Sequence, residues 1–289
     1  MIGPLSQINA LSGLSKNETS CSLISNEELQ NIIVQLETDI ADGSWPHKDY
    51  SNMDVKIMPA LVMQANNKFP EMNLNFVKSP QDLSIEIKNT IEHGIESSRF
   101  IINMGEGGIH FSVIDYKNIN GKTSLILFEP ANFNSMGPAM LAFRTKMAIE
   151  RYQLPDYHFS MVEMDIQRSS SECGIFSLAL AKKLYIERSS LLKIHEDNIK
   201  GTLSDSEMPV PHDKLDPYLP VTFYKHTQGK RRLNEYLNTN PQGVGTVINK
   251  KNETILNRFD NNLSVIDEKN LSVSAHKKRI TEYKTLLKS

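Results

Sequence analysis

The sequence predicts an α/β chain of the α+β kind, and three observations predict it. Residues Met161 to Tyr185, MVEMDIQRSSSECGIFSLALAKKLY, read as a strand, a short polar loop and a buried helix in succession. Two further strands, Ile109 to Tyr116 and Lys122 to Phe128, are joined across Asn120-Gly121, the strongest short hairpin signal in a sequence. Helices with a single apolar stripe stand before this block, and more helical pattern follows it.

Taken in order, residues 1–24 are rich in Ser, Asn, Gly and Leu without a sustained period and read as a disordered leader. Ser25 to Glu28 has the pattern of a capping box. The helix it opens carries Leu29, Ile32, Ile33, Leu36 and Ile40 on one stripe and ends near Gly43. A second helix is predicted over Pro59 to Asn67, a strand over Asn73 to Val77, and a helix over Gln81 to His93 with Leu83, Ile87 and Ile91 inward. Arg99 to Met104 is a strand, followed by a flexible corner at Gly105 to Gly108. Phe159 to Ile166 alternates as a strand, with Val162, Met164 and Ile166 against Glu163 and Asp165. Gln167 to Glu172 is the loop. From Cys173 the residues are apolar nearly all round for two turns, the pattern of a buried helix. Leu191 to Ile199 is helical, and Lys200 to Pro220, with Gly201 and four prolines, reads as a loop or boundary. Beyond it lie a helix over Gly229 to Leu237 and two strand pairs, Gly245 to Asn249 with Thr254 to Phe259 and Leu263 to Ile266 with Leu271 to Val273. A closing helix spans Ser274 to Leu287.

Composition bounds the function. Hydrophobic content of 39% with 23% charged residues is that of an ordinary globular protein. No apolar run approaches the roughly 18 residues of a membrane-spanning helix, so no membrane partner is expected. The two cysteines, Cys21 and Cys173, cannot build a disulfide framework, and no CxxC or His/Cys cluster suggests a metal. A reducing compartment is the default. The net charge of −2 hides an asymmetry. Residues 222–289 hold 13 Lys and Arg against 6 Asp and Glu, leaving 19 against 28 in the rest. A basic module on an acidic body points to an anionic ligand. Nucleic acid is the competing polyanion, but no aromatic-interleaved basic stripe accompanies the charge.

Cys173 heads a helix, where unpaired N–H groups and the dipole favour a thiolate. Gln167, six residues upstream, can fold back to offer its amide to an oxyanion. With Asn120-Gly121 as a two-residue turn, Glu129 lies opposite Ser112 and diagonal to His110 on one face of the hairpin. His110, Glu129 and Cys173 then form a base, an orienter and a nucleophile. Spacing alone leaves acyl transfer and peptide hydrolysis equally open.

The block GEGGIHFSVIDY, the segment LILFEPAN and the run DIQRSSSECGIFSLALAKKL resemble the YopJ family of type III secreted bacterial effectors, a likeness that extends over essentially the whole chain. The resemblance implies a core of the ubiquitin-like-protease cysteine peptidase type with an appended helical and basic regulatory lobe. It implies a serine/threonine and lysine acetyltransferase, using acetyl-CoA and activated by inositol hexakisphosphate. Its catalytic positions fall on His110, Glu129 and Cys173, with Gln167 at the oxyanion hole.

The organisation expected is a secretion leader over 1–24, regulatory helices over 25–95, a catalytic core over 96–200, a connecting loop over 201–221 and a basic regulatory part over 222–289. Arg168, Ser169, Arg258, His276, Lys277 and Lys278 are the candidate CoA contacts. Lys225, His226, Lys250, Lys251 and Arg279 are the candidate inositol phosphate contacts. The partners implied are host MAP kinase kinases and IκB kinase, met in the host cytoplasm after delivery by the secretion apparatus through the leader. Alternatives are a cysteine protease of ubiquitin-like conjugates and a non-catalytic kinase-binding decoy.

Overall fold

The turn at Asn120-Gly121 sets the sheet. In the computed structural model, which describes residues 24–288 apart from 107, 205–207 and 267, Asn120 and Gly121 take φ of 53° and 83°. Two successive positive φ values make the turn whose twist matches paired strands. Ile119 pairs with Lys122, and the ladder runs back to Val113 with Phe128. The expected register therefore holds.

The front of the chain forms α1 (Asn26–Ala41), α2 (Ser51–Lys68), β1 (Leu74–Val77) and α3 (Pro80–Glu92). The middle forms β2 (Ser97–Asn103), β3 (Phe111–Ile119), β4 (Lys122–Glu129), α4 (Met136–Tyr152), β5 (Tyr157–Glu163), α5 (Cys173–Ile186) and α6 (Leu192–Lys200). There follow α7 (His212–Leu215), α8 (Lys230–Thr239), α9 (Ile255–Asp260), the hairpin β6 (Leu263–Ile266) and β7 (Lys269–Ser272), and α10 (Ser274–Leu286). The leader expected over 1–24 lies, but for Ile24, outside the described residues, as does Cys21.

Strands β1 to β5 lie in sequence order in one mixed sheet. The two outer pairs, β1 with β2 and β4 with β5, are parallel, and the two inner pairs are antiparallel. Alternation along the strands gives the sheet two apolar faces. Ile101, Phe111, Val113, Ile126, Phe128 and Val162 join the larger core with α1, α2, α5 and α10. Phe100, Ile102, Ile114, Leu125 and Leu127 meet Leu83 and Ile87 of α3 and Leu141 and Ile149 of α4. Each such side chain fully buried contributes about 1.5–3 kcal/mol. Helix α5 is buried on nearly every side, as its continuous apolar run requires.

Several elements differ from expectation for identifiable reasons. Helix α2 starts at Ser51, so Pro59 sits in its interior. Burial of Ile57, Met58, Leu61, Val62 and Ala65 outweighs the one hydrogen bond that proline removes. Ser25 caps α1 by accepting from the Glu28 N–H, but the Glu28 carboxylate binds Lys56 instead of completing the box. Strand β5 stops at Glu163, because Asp165 adopts a φ of 51° and turns the chain.

Residues Thr254 to Phe259, expected as a strand, form only one bridge, Val247 with Thr254, before entering α9. The Thr254 and Asn257 side chains cap that helix reciprocally, and capping wins over β-propensity. Residues 208–220 do not run free: Val210 pairs with Val162, and Asp216 lies buried against Arg232 at 2.5–2.9 Å. Helix α4 has no counterpart among the elements read from the sequence.

Candidate active site

Three elements bring the site together. His110 immediately precedes β3, Glu129 ends β4, and Cys173 opens α5. After β5 the chain follows the end of β4: the N–H groups of Met164, Ile166 and Gln167 donate to the carbonyls of Glu129, Pro130 and Pro130 at 2.9, 2.8 and 3.0 Å. This stitching carries the loop 167–172 past Glu129 and delivers Cys173 beside the hairpin.

Glu129 is wholly buried. Its Oε2 accepts from His110 Nε2 at 2.9 Å and from the Ser112 hydroxyl, and its Oε1 accepts from the Ala131 N–H at 2.9 Å. The His110 ring also lies within electrostatic reach of Cys173. With Nε2 committed to Glu129, Nδ1 is the nitrogen left for the sulfur. Burial alone would lower the imidazole pKa. The charge of Glu129, its hydrogen bond to the ring and the nearby Cys173 outweigh burial and push it up to about 10. The site thus sets a helix-borne cysteine beside a histidine and an acid carried by the sheet.

The raised value has a consequence for stability. A histidine held at about 10 in the fold, against 6.5 ordinarily, contributes stability that is fully present below 6.5. That contribution is lost as pH rises through about 10. The difference in thermal stability between the native chain and His110→Gln should therefore shrink across that window, as read from melts in a buffer series.

Gln167 is buried, donates Nε2 to the Ser169 carbonyl at 2.7 Å, and keeps Oε1 buried without a hydrogen-bond partner among the described residues. Half of its amide is thus uncommitted. A Ser-His-Asp constellation lies elsewhere: His195 bonds Ser124 at 2.8 Å and Asp115 at 3.0 Å. All three are at most 2% exposed, and they anchor α6 to the sheet. Among the described residues no group of three or more His, Cys, Asp or Glu could hold a metal, and no helix is long and apolar enough to cross a membrane.

Along α5 from Cys173 lies a cavity of about 560 Å³, walled by Phe176, Ala179 and Leu180 and by parts of α2, α10 and residues 222–226. Five lysines line it, Lys68, Lys182, Lys183, Lys225 and Lys278, against one carboxylate, Glu282. Glu282 pairs with Lys182 at 2.7 Å and Lys278 at 2.5 Å. Burial and the charges of Arg258, Lys183 and Lys278 push the Lys225 amine down to about 8. The same surroundings hold His226 well below its ordinary value. An anion entering this cavity relieves an imbalance already present.

Of the ligand contacts expected from the sequence, the cavity gathers Lys225, His226 and Lys278. Arg258 flanks it, bonded to the Lys225 carbonyl and Ser274. Arg168 is chelated by Asp165 at 2.8 and 2.9 Å, and Ser169 is buried against Glu172. Lys250, Lys251 and Lys277 are exposed away from the cavity lining. His276 and Arg279 are interior, 0% exposed, and bound within the protein, so neither offers a surface charge to a ligand. The sequence reading missed Lys68, Lys182 and Lys183. The available signal was Lys182-Lys183 itself, a charged pair closing an otherwise apolar helix.

Residues 29–285 match the family described as YopJ Serine/Threonine acetyltransferase. The chain is 85% identical over 288 residues, covering 100% of both chains, to the serine/threonine-protein acetyltransferase YopJ of Yersinia pestis. The solved structure described as AvrA delL154 with IP6 and CoA superposes with a TM-score of 0.89 at 58% identity, covering 92% of this chain and 100% of that one. HopZ1a in complex with IP6 and CoA gives a TM-score of 0.70 at 18% identity, covering 91% and 99%, a likeness of fold.

Proposed function

The chain belongs to the YopJ serine/threonine acetyltransferase family, and on that premise we propose that it moves an acetyl group from acetyl-CoA through Cys173 to serine, threonine and lysine side chains of host signalling kinases. The acceptors are MAP kinase kinases and IκB kinase, acetylated on activation-loop hydroxyls so that phosphorylation there is blocked. The enzyme works in the host cytoplasm after type III delivery, with inositol hexakisphosphate as its activator. The observation that carries the reading is His110, hydrogen-bonded to buried Glu129 and close enough to Cys173, at the head of α5, for the two to interact electrostatically.

When bound, acetyl-CoA supplies an acyl group activated as a thioester. The Cys173 thiolate attacks the acyl carbon, and the N–H groups of the first turn of α5, with the second N–H of Gln167 Nε2 (the first is donated to the Ser169 carbonyl), face the oxyanion. His110 gives its proton to the departing sulfur. Now neutral, the same ring takes a proton from the acceptor hydroxyl, which attacks the acetylated Cys173 and releases the thiolate. Glu129 holds the ring orientation throughout. These two half-reactions are the ping-pong pattern of covalent catalysis.

The lysine cavity fits a polyphosphate by charge. Cys173, Phe176, Leu180 and Lys183 follow one stripe of α5, so the charged end stands about 15 Å along the helix from the sulfur. Phosphates at that end and a thioester at Cys173 would share one groove. Replacing Lys225 and Lys278 by Gln should weaken acetyl-CoA binding roughly tenfold per lysine, because each loses a charge-assisted contact. Inositol hexakisphosphate should raise acetyl-CoA affinity in the native chain, as linkage requires if both favour the ordered lobe. Calorimetric titration of acetyl-CoA with and without the inositol phosphate reads both, and equal affinities would refute the coupling.

The reading itself is tested by intact-mass analysis of a MAP kinase kinase incubated with the enzyme, acetyl-CoA and inositol hexakisphosphate. Acetyl adducts on activation-loop peptides are the expected outcome. Absence of adducts on the kinase from an enzyme that acetylates itself would overturn the acceptor assignment.

A further inference from the structure

The loop that presents the nucleophile is held by residues from the other end of the chain. Gln228 Oε1 accepts from the N–H groups of Arg168 and Ser169 at 2.5 and 2.9 Å, and its Nε2 donates to Glu172. Arg279 of α10 donates Nη2 to the Ser171 carbonyl at 2.8 Å, and its Nη1 lies 3.5 Å from Glu172 Oε1. The guanidinium also grips Asp54 of α2 through Nε and Nη2, each at 3.0 Å. It lies over the Tyr50 ring, 4.7 Å from its centroid. Asp54 in turn stands against the residue after the nucleophile: a Cβ built on Gly174 would fall 2.6 Å from Asp54 Oδ2. The residues on both sides of Cys173 therefore touch one ion cluster.

We propose that Arg279 is a positioning residue for acetyl transfer, clamping Ser171 and Glu172 against Asp54 so that the Cys173 sulfur meets His110 at the head of α5. The proposal rests on Cys173 being the acetyl carrier. Two features make a positioning role more than packing. Helix α5 has no side-chain cap at its N-terminus, so the preceding loop alone fixes where the sulfur points. Arg279 also balances two buried carboxylates, Asp54 and Glu172. Without its guanidinium, two buried carboxylates would lose the cation that holds them together, and the loop carrying Glu172 would shift.

Lysine keeps the charge but cannot bind Asp54 through two nitrogens while reaching Ser171 and Glu172. Arg279→Lys should therefore lower kcat by roughly 10- to 100-fold, the scale of a misplaced reacting group. KM for acetyl-CoA should stay within about threefold, since Arg279 is absent from the cavity lining. Alkylation of Cys173 by iodoacetamide should slow in parallel. Glu172→Gln, near-isosteric and able to keep its bond from Ser169, should show the same split more mildly and serves where Arg279→Lys does not fold.

The experiment uses the full chain with acetyl-CoA and inositol hexakisphosphate, below the melting temperature of each variant. Native kcat and native alkylation rate in folded Arg279→Lys, or in Glu172→Gln where that is the variant that folds, would overturn the clamp. Parallel rises in KM with unchanged kcat would also overturn it, by making Arg279 a ligand contact. A Cys173→Ala control separates the premise, because activity there would defeat the carrier role and leave the alkylation readout standing.

Discussion

Cys173→Ala is expected to abolish acetyl transfer while the protein still folds. The sulfur is the only atom lost. Cys173 is 1% exposed in the larger core, and alanine leaves a gap the size of one small group, costing on the order of 1 kcal/mol. Chemistry suffers far more. Without a thiolate there is no acetyl-enzyme, and transfer would have to occur directly from thioester to hydroxyl. Loss of a covalent nucleophile costs about 10⁶-fold in kcat where it has been measured for a comparable triad. Release of free CoA thiol and the intact mass of the enzyme check the result, with a thermal melt to verify the fold. A Cys173→Ala variant turning over at a measurable fraction of the native rate would end the covalent mechanism.

The second large effect is expected from Glu129→Gln, with kcat reduced by about 10³- to 10⁴-fold and KM little changed. Every group around this carboxylate donates: His110 Nε2, the Ser112 hydroxyl and the Ala131 N–H. An amide must turn its NH2 toward one of these donors. If it faces His110, the ring flips to the tautomer with Nδ1 protonated and can no longer take a proton there. If it faces Ala131, two N–H groups confront each other in a fully buried site, which costs stability instead. A steady-state kinetic comparison with a melt distinguishes the two outcomes. Native turnover would mean that another group orients the imidazole.

Much of the site was legible because local rules decide it. An Asn-Gly turn fixes register, and register puts His110 and Glu129 on one face. The switch from a polar loop to an apolar run marks where α5 starts, and it starts at Cys173 as read. Helix α4 was illegible for an equally local reason. Leu141, Ala148 and Ile149 face the core, while Met136, Met140, Phe143 and Met147 remain exposed, so two apolar stripes blur the period. The basic module was visible as a sum but not residue by residue. Whether Lys278 faces a cavity and Arg279 an acidic interior depends on partners far along the chain, and no window of neighbouring residues contains Asp54.

That separation bears on how the enzyme comes into being. Arg279 and Asp54 lie 225 positions apart, and their pairing closes a loop spanning most of the polypeptide. Closing so long a loop costs entropy that short-range contacts never meet, and contacts of this range are the slow ones in folding. On the ribosome, the sheet, the hairpin and α5 can all assemble while residue 279 is still unmade. His110, Glu129 and Cys173 would then already be neighbours, with the segment before the sulfur unsecured. The cell that synthesises this chain would carry, for as long as translation runs, a nucleophile present but not yet aligned.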